Sequence, residues 1–472
     1  MAASTRSPSP PAADAQPAAK RMRMQAPDEK HAVELATEQP AQTPTKRRRT
    51  LPYAQGMHLA PMVRIGTLPV RLLSLEYGAE LVWGPEIVDK AIIGAQRTVD
   101  PKTGVVSFVK NGRSIFECHP IEKPRLIFQL GSASPELAVQ ALKVIEQDVA
   151  GVGLNCGCPK SFSLQGGMGA ALLKDPERLC SILKALVGAT DLPIDAKIRL
   201  LPLPPASDSS ASSSTADAAL ASGSSTPVPS GSASPASAAV PTPSTVLEPT
   251  VPPTLAVPTA ASTSSTNEPT LPLVAQILST GISNLTVHCR TQTMRSSEPA
   301  LHARMRGVTH LGRERGVPVV CNGDALGGGK EGAWGNFDEV CEVTGVSSVM
   351  IARAAEANPS CFSADGLKDP ISEVIPRLLR IAIATGNHYS NTKYILNALN
   401  LHASPTPPSR ERNRELKLAM NKARSYAEMG AAFGVGADEV EELQAADEGA
   451  IEAMLPAWSE RRKAIIEAEG EP

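Results

Sequence analysis

The sequence predicts a (β/α)8 TIM barrel followed by a C-terminal helical domain. Three observations predict it. Eight short apolar runs lie between residues 58 and 351. Most are separated by stretches with helical spacing of apolar residues. Beyond residue 360 helical spacing continues without another strand-like run. Strand–helix alternation implies parallel pairing through right-handed crossovers, and eight such units close a barrel. An open doubly wound sheet is the rival, but it usually has fewer strands.

In order, the strand candidates are residues 58–62 (HLAPM), 80–84 (ELVWG), 125–130 (RLIFQL), 151–155 (GVGLN), 193–198 (PIDAKI), 284–288 (NLTVH), 317–321 (VPVVC) and 347–351 (SSVMI). Helix-like segments at 135–147, 176–187, 273–279 and 300–315 fall between them. Residues 97–118 hold two β-like runs around Asn111-Gly112, a strong hairpin signal placed before the third strand. Residues 370–385, 391–401 and 409–429 carry helical periodicity. The expected division is a barrel over 51–360, a helical domain over 361–436 and an acidic helical tail over 437–472.

Composition accounts for the rest of the chain. Of 42 prolines among 472 residues, 7 lie in residues 1–50 and 12 in 204–270, and neither stretch has an aromatic residue. Such Ala/Ser/Thr/Pro-rich sequence buries too little apolar surface to offset the entropy of ordering. Residues 1–50 are therefore expected to be a disordered basic tail, and 203–270 a disordered insertion inside the barrel. Surface insertions of this length cost little when their ends emerge together. Residues 1–50 carry 9 basic and 5 acidic groups, whereas 437–472 carry 11 acidic and 3 basic ones. The barrel body is left modestly basic, which is compatible with a polyanionic partner.

Several classes are excluded. No run of about 18 apolar residues exists, so no membrane span is expected. The N-terminus has no apolar segment of signal-peptide type. Eight scattered cysteines include no C-x-x-C pair, so no metal framework is expected and the thiols read as reduced and intracellular. The Lys46-Arg47-Arg48-Arg49 run reads as a nuclear signal, an RNA-binding arm or a plain solvated tail.

Barrel chemistry sits at the C-terminal ends of strands. Those positions hold Ala60-Pro61-Met62, Gln129, Asn155 to Lys160, Lys197 and Arg199, His288 and Arg290, Asn322-Gly323-Asp324, and Ala352-Arg353. Polar groups concentrated at strand exits are hard to explain as packing. A buried lysine such as Lys197 needs a partner or an anionic ligand. Asn322-Gly323-Asp324 and Ala352-Arg353 follow strands seven and eight, where barrels commonly bind phosphate. Gly323 permits close backbone approach and Arg353 offers a fork for phosphate oxygens.

These pieces resemble the tRNA-dihydrouridine synthase family, most of all its eukaryotic type that modifies uridine 20 of the D-loop. The resemblance runs from about residue 57 to 434 without the insertion. It is carried by residues 60–89 (APMVRIGTLPVRLLSLEYGAELVWGPEIVD), 155–177 (NCGCPKSFSLQGGMGAALLKDPE), 196–202 (AKIRLLP), 287–291 (VHCRT), 319–325 (VVCNGDA), 347–355 (SSVMIARAA) and 387–399 (NHYSNTKYILNAL).

The resemblance implies bound FMN, NADPH as reductant, a tRNA substrate and a monomer; the scattered cysteines and the basic run add the expectation of a cytoplasmic or nuclear location. It implies hydride transfer to C6 of uracil and protonation of C5 by Cys158. An ordinary thiol is largely protonated near neutral pH and can donate. The target base must leave the tRNA stack to react. Pro61, Met62, Gln129, Lys197, His288, Asn322, Gly323, Asp324, Ala352 and Arg353 match flavin-contacting positions. Lys160, Arg199, Arg290 and Arg295 near the mouth, with Asn391 and Lys393 in the helical domain, are the expected RNA contacts. Cys289 departs from the Gly usual in V-H-G-R and is expected to add bulk near the flavin. Cys156 is expected to be a buried structural thiol rather than a partner of Cys158. Two other readings compete: a different FMN barrel oxidoreductase acting on a small metabolite, and an RNA-binding protein whose chemistry has lapsed.

Overall fold

A computed structural model describes residues 49–204, 268–325 and 336–470. The disorder expected over 1–50 and 203–270, and a glycine-rich loop at 327–335, fall almost wholly outside the described residues. No described helix is long and apolar enough to cross a membrane.

The chain enters through β1 (Gly56–Leu59) and β2 (Leu81–Trp83), then a two-residue strand, β3 (Ile87–Val88). The stretch expected to form a simple hairpin forms three strands, β4 (Gln96–Val99), β5 (Val106–Lys110) and β6 (Arg113–Cys118), paired antiparallel. The turn between β5 and β6 is the Asn111-Gly112 pair, with φ of +53° and +70°. Both values suit a tight primed turn, which Asn and Gly adopt most easily. Arg97 of the extra strand β4 makes two hydrogen bonds of 2.7 Å to Asp148, tying this sheet to the barrel.

The chain then continues through β7 (Leu126–Gly131), β8 (Gly151–Cys156), β9 (Ile194–Arg199), β10 (Asn284–His288), β11 (Val319–Asn322) and β12 (Ser348–Ile351). Parallel pairing runs β2-β1-β12-β11-β10-β9-β8-β7, and β7 pairs back to β2. All eight expected strands are present and the sheet closes, as the barrel reading requires. Ala60, Leu81, Trp83, Ile127, Val320 and Met350 fill its interior. The larger core lies between strands and helices.

Local sequence explains the helices. Pro135–Ile145 begins with Ser134 accepting the Leu137 N–H and a proline in the first turn. Ala138, Ala141, Leu142 and Ile145 then recur at helical spacing and are buried. Pro176–Ala189 repeats the device with Asp175 as cap and Leu179, Ile182, Leu183 and Leu186 inward.

The C-terminal segment is helical as expected, with one difference. Residues 409–429 form two helices, Arg410–Lys422 and Tyr426–Ala431. Ser425 starts the second by accepting the Glu428 N–H. The acidic stretch ends in the helix Pro456–Glu469, which docks where β2 and β7 begin. Trp458 is fully buried there, its indole N–H donating to Ile121 O at 2.9 Å. Arg461 donates to Leu75 O and Ala79 O, both at 3.0 Å. Glu469 accepts two hydrogen bonds from Arg125.

The ends of the insertion meet. Leu201 N–H donates to Thr270 Oγ1 at 3.1 Å, and Arg304 bridges Leu201 O and Glu268.

Candidate active site

The C-terminal ends of β9 to β12 border a cavity of about 750 Å³. That is within the roughly 300–1,000 Å³ of small-ligand sites. Arg199, His288, Arg290, Asn322, Asp324 and Arg353 line it.

Lys197 reaches the mouth from β9, and its Nζ donates to Asn322 Oδ1 at 2.9 Å. Asn322 Nδ2 in turn donates to Met350 O at 2.8 Å, so three strands are linked across the mouth. Burial lowers the Lys197 ammonium to about 8, Arg199 adds to that, and Asp195 opposes it. Asp195 sits two residues earlier on the same inward face, fully buried. Burial raises its carboxyl to about 7 against a hydrogen bond from Trp83 and the charge of Lys197. Its Oδ1 has no hydrogen-bond partner.

His288 is held neutral. Burial, followed by Lys197, Arg199, Arg290 and Arg353, pushes its pKa down to about 2. Arg290 Nη1 lies 3.3 Å from His288 Nε2. A guanidinium only donates, so Nε2 is the acceptor and Nδ1 carries the hydrogen. The site therefore offers a neutral donor among cations.

The Asn322-Gly323-Asp324 turn needs its glycine. Gly323 has φ +110°, and a Cβ there would lie 3.0 Å from His288 Cδ2 and 3.4 Å from Arg290 Nη1. Asp324 also has positive φ, at +47°. Its carboxylate pairs with both Arg290 and Arg353 and accepts the Ala300 N–H at 2.9 Å. Burial alone would raise this carboxyl, but those partners outweigh it and hold it below its usual value. The Asp324 side chain thus faces guanidinium groups rather than an anion. Arg353 remains more than half exposed and also donates to Ser296 O at 3.0 Å.

Cys158 lies half-buried on the neighbouring loop after β8. Asn155 Oδ1 shapes that loop by accepting the N–H groups of Gly157 and Cys158, at 3.0 and 3.2 Å. Gly169, at φ +61°, packs beneath it; a Cβ there would fall 2.7 Å from Cys158 O. This steric limit explains a glycine in the GGMGA run. Glu86, absent from the sequence-predicted set, brings its carboxyl against Asn155 and Cys158. Burial raises the Glu86 carboxyl above its usual value, against those hydrogen bonds and Lys160. Its Oε1 is buried without a hydrogen-bond partner. Its sequence signal is a carboxylate just after an apolar strand. Asp195 had the parallel signal of an acid inside one.

The other predicted positions divide. Pro61 and Met62 are partly buried after β1, and Gln129 is buried near the end of β7. Ala352 lines the cavity beside Arg353. Lys160 and Arg295 are exposed. Arg199 is braced, donating to Gly157 O at 2.8 Å and Thr291 O at 3.0 Å. Three expected RNA contacts are engaged inside the protein. Arg290 is buried, and its guanidinium holds Glu298 O and Asp324. Lys393 donates to Asn421 O and Ala423 O, closing the end of the Arg410–Lys422 helix. Asn391 donates to Arg64 O and accepts from Thr67, binding the helical segment to the loop after β1. Spacing alone cannot reveal that these polar groups are satisfied internally. Cys289, expected beside the flavin, packs in the strand–helix core instead, because it alternates with the inward His288. Cys156 is buried as expected.

A family profile described as dihydrouridine synthase (Dus) matches residues 58–223 and 247–435. The chain belongs to the dihydrouridine synthase family. It is 40% identical over 360 residues to a Schizosaccharomyces pombe protein named tRNA-dihydrouridine(20) synthase [NAD(P)+], covering 74% of this chain and 60% of that protein. It is 32% identical over 368 residues to the Saccharomyces cerevisiae protein of the same name, covering 74% of this chain and 77% of that one. A Saccharomyces cerevisiae tRNA-dihydrouridine(20a/20b) synthase is 22% identical over 305 residues, covering 64% of this chain and 60% of its own length. The match thus spans about three fifths of the Schizosaccharomyces pombe relative. The family profile runs through the barrel and into the helices that follow it, as far as residue 435.

Proposed function

We propose that this chain reduces the C5–C6 double bond of a tRNA D-loop uridine, at position 20, using FMN and NADPH. Membership of the dihydrouridine synthase family supports the reaction class, and the two relatives named for position 20 support the position. The observation that carries the reading is one mouth holding both an anion-suited pocket and, on the next loop, the half-buried thiol of Cys158.

The residues fit FMN on their own chemistry. Arg353 is exposed toward the cavity for a phosphate, and Gly323 lets backbone approach at a φ of +110° where a Cβ would also crowd His288. Lys197 and the neutral donor His288 suit the electron-rich pyrimidine edge of a flavin. Pro61, Met62, Gln129, Asn322 and Ala352 would complete the cradle. When bound and reduced by NADPH, FMN supplies hydride to uracil C6.

The chain's own part is to position and protonate. Cys158 gives its proton to C5 as negative charge develops there. The Glu86 carboxyl, which burial pushes above its ordinary value, lies against that sulfur and is the group placed to return its proton. Asn155 fixes the loop so that the thiol stays at the mouth. Lys160 and Arg295 meet backbone phosphates, and Phe162, 48% exposed four residues after Cys158, offers a face on which a base can stack. Asp324, Arg290, Asn391 and Lys393 act indirectly, holding the elements that carry the contacts.

The test is to map dihydrouridine in tRNA from cells lacking this protein. Loss at position 20, restored by the wild-type chain, is the expected result. Unchanged dihydrouridine at every position, or a purified protein that stays colourless after incubation with FMN, overturns the reading.

A further inference from the structure

Behind the mouth, in the layer between strands and helices, three soft donors meet that the proposed reaction does not use. Cys289 follows β10 and Cys321 lies in β11; both are buried, with Sγ atoms 3.4 Å apart. His302 completes the group, and the three donor atoms all lie within 4.8 Å of one another.

The orientation of His302 is fixed. Its Nε2 lies 2.7 Å from Gly323 O. A carbonyl only accepts, so Nε2 carries the hydrogen and the lone pair is left on Nδ1. An imidazole that gives its second N–H to a backbone carbonyl is the usual arrangement around a bound metal. Two thiols with an imidazole select a soft cation over Mg2+ or Ca2+, which prefer oxygen. Burial then selects the charge. Two thiolates and one Zn2+ sum to zero, whereas a monovalent cation would leave a buried net charge.

We infer that Cys289, Cys321 and His302 form a Zn2+ site. Binding forms two Zn–S bonds and one Zn–N bond and releases the two thiol protons to solvent. Zinc takes four ligands, and the half-buried His302 leaves one side for a water molecule. Each ligand adjoins the pocket: Cys289 follows His288, Cys321 precedes Asn322, and the carbonyl partner of His302 belongs to Gly323. The ion would clamp β10, β11 and the turn before the helix Met305–Glu314. It would thereby hold His288 and the Asn322-Gly323-Asp324 turn in place. The inference stands on geometry alone and does not depend on the reaction proposed above.

The experiment uses the full chain, purified with reductant and stripped of metal, then titrated with Zn2+ and with Co2+ as its coloured substitute. One equivalent of Zn2+ should bind and raise the melting temperature, and Co2+ should show thiolate charge-transfer absorption. His302→Ala, a change at a half-buried position, should weaken binding at least tenfold and abolish the thermal shift. Cys289→Ser and Cys321→Ser should remove the charge-transfer band, while Cys158→Ser and Cys361→Ser should keep it. Melting of each metal-free variant separates lost binding from lost folding. Absence of binding to the wild type overturns the site, as does binding untouched by His302→Ala. Mass analysis showing Cys289 and Cys321 joined as a disulfide in the reduced preparation overturns it as well.

Discussion

Cys158, Lys197 and His288 were all visible as polar residues at strand exits, but their states were not. Lys197 and His288 are both half-buried among cations; burial first, and then those charges, hold the imidazole neutral, while the lysine keeps Asn322 and Asp195 as partners. Cys158→Ala should leave the FMN content unchanged and lower dihydrouridine formation roughly 10²- to 10⁴-fold, the usual worth of a general acid. Single-turnover assay of the flavin-loaded variant checks this, and full turnover would move the proton donor elsewhere. Asp195 gives a pH prediction. Its carboxyl is raised from 3.8 to about 7 in the folded chain, so between about pH 4 and 7 the folded state binds the extra proton. Stability from this group is present below that window and lost as pH rises through 7. Asp195→Asn should therefore gain roughly 1–3 kcal/mol on the wild type between pH 5 and pH 8. Urea unfolding at both values reads it; parallel curves for the two proteins would reject the raised carboxyl.

Individual elements followed the sequence closely wherever local chemistry decides. Ser134 and Asp175 start helices and Asn111-Gly112 turns a hairpin, because a cap or a positive φ involves only neighbouring residues. The misses have a common cause. A third strand joins the hairpin because its side chain Arg97 finds Asp148, which is distant in sequence. The acidic tail likewise reads only as helical, with no docking partner. Its last helix instead buries Trp458 and satisfies Glu76, Arg125 and Ile121, none of which the tail's own periodicity shows. Trp458→Ala should cost roughly 3–5 kcal/mol, a large core truncation. Thermal unfolding would show it, and a loss below about 1 kcal/mol would mean the helix is an ornament on the barrel.

Across the whole molecule, the closed parallel sheet converts eight separate chain segments into one mouth. Leu201 and Thr270 stand side by side where the 205–267 insertion departs. Replacing 205–267 by a short Gly/Ser link should therefore leave the melting temperature within about 4 °C, on the order of 1 kcal/mol. It should also preserve dihydrouridine formation. A larger fall would assign the insertion a part in folding.

By itself the sequence determined the barrel, its eight strands, the family motifs and the row of polar strand exits. Periodicity and turn chemistry are local, and strand alternation follows from the backbone. Tertiary structure alone decided which polar groups remain available. Arg290, Asn391 and Lys393 look like RNA contacts along the chain, yet each meets partners from other segments. Glu86 and Asp195 look incidental along the chain, yet burial raises both carboxyls beside the residues expected to work. Burial and pairing are properties of distant segments brought together, so no local pattern encodes them.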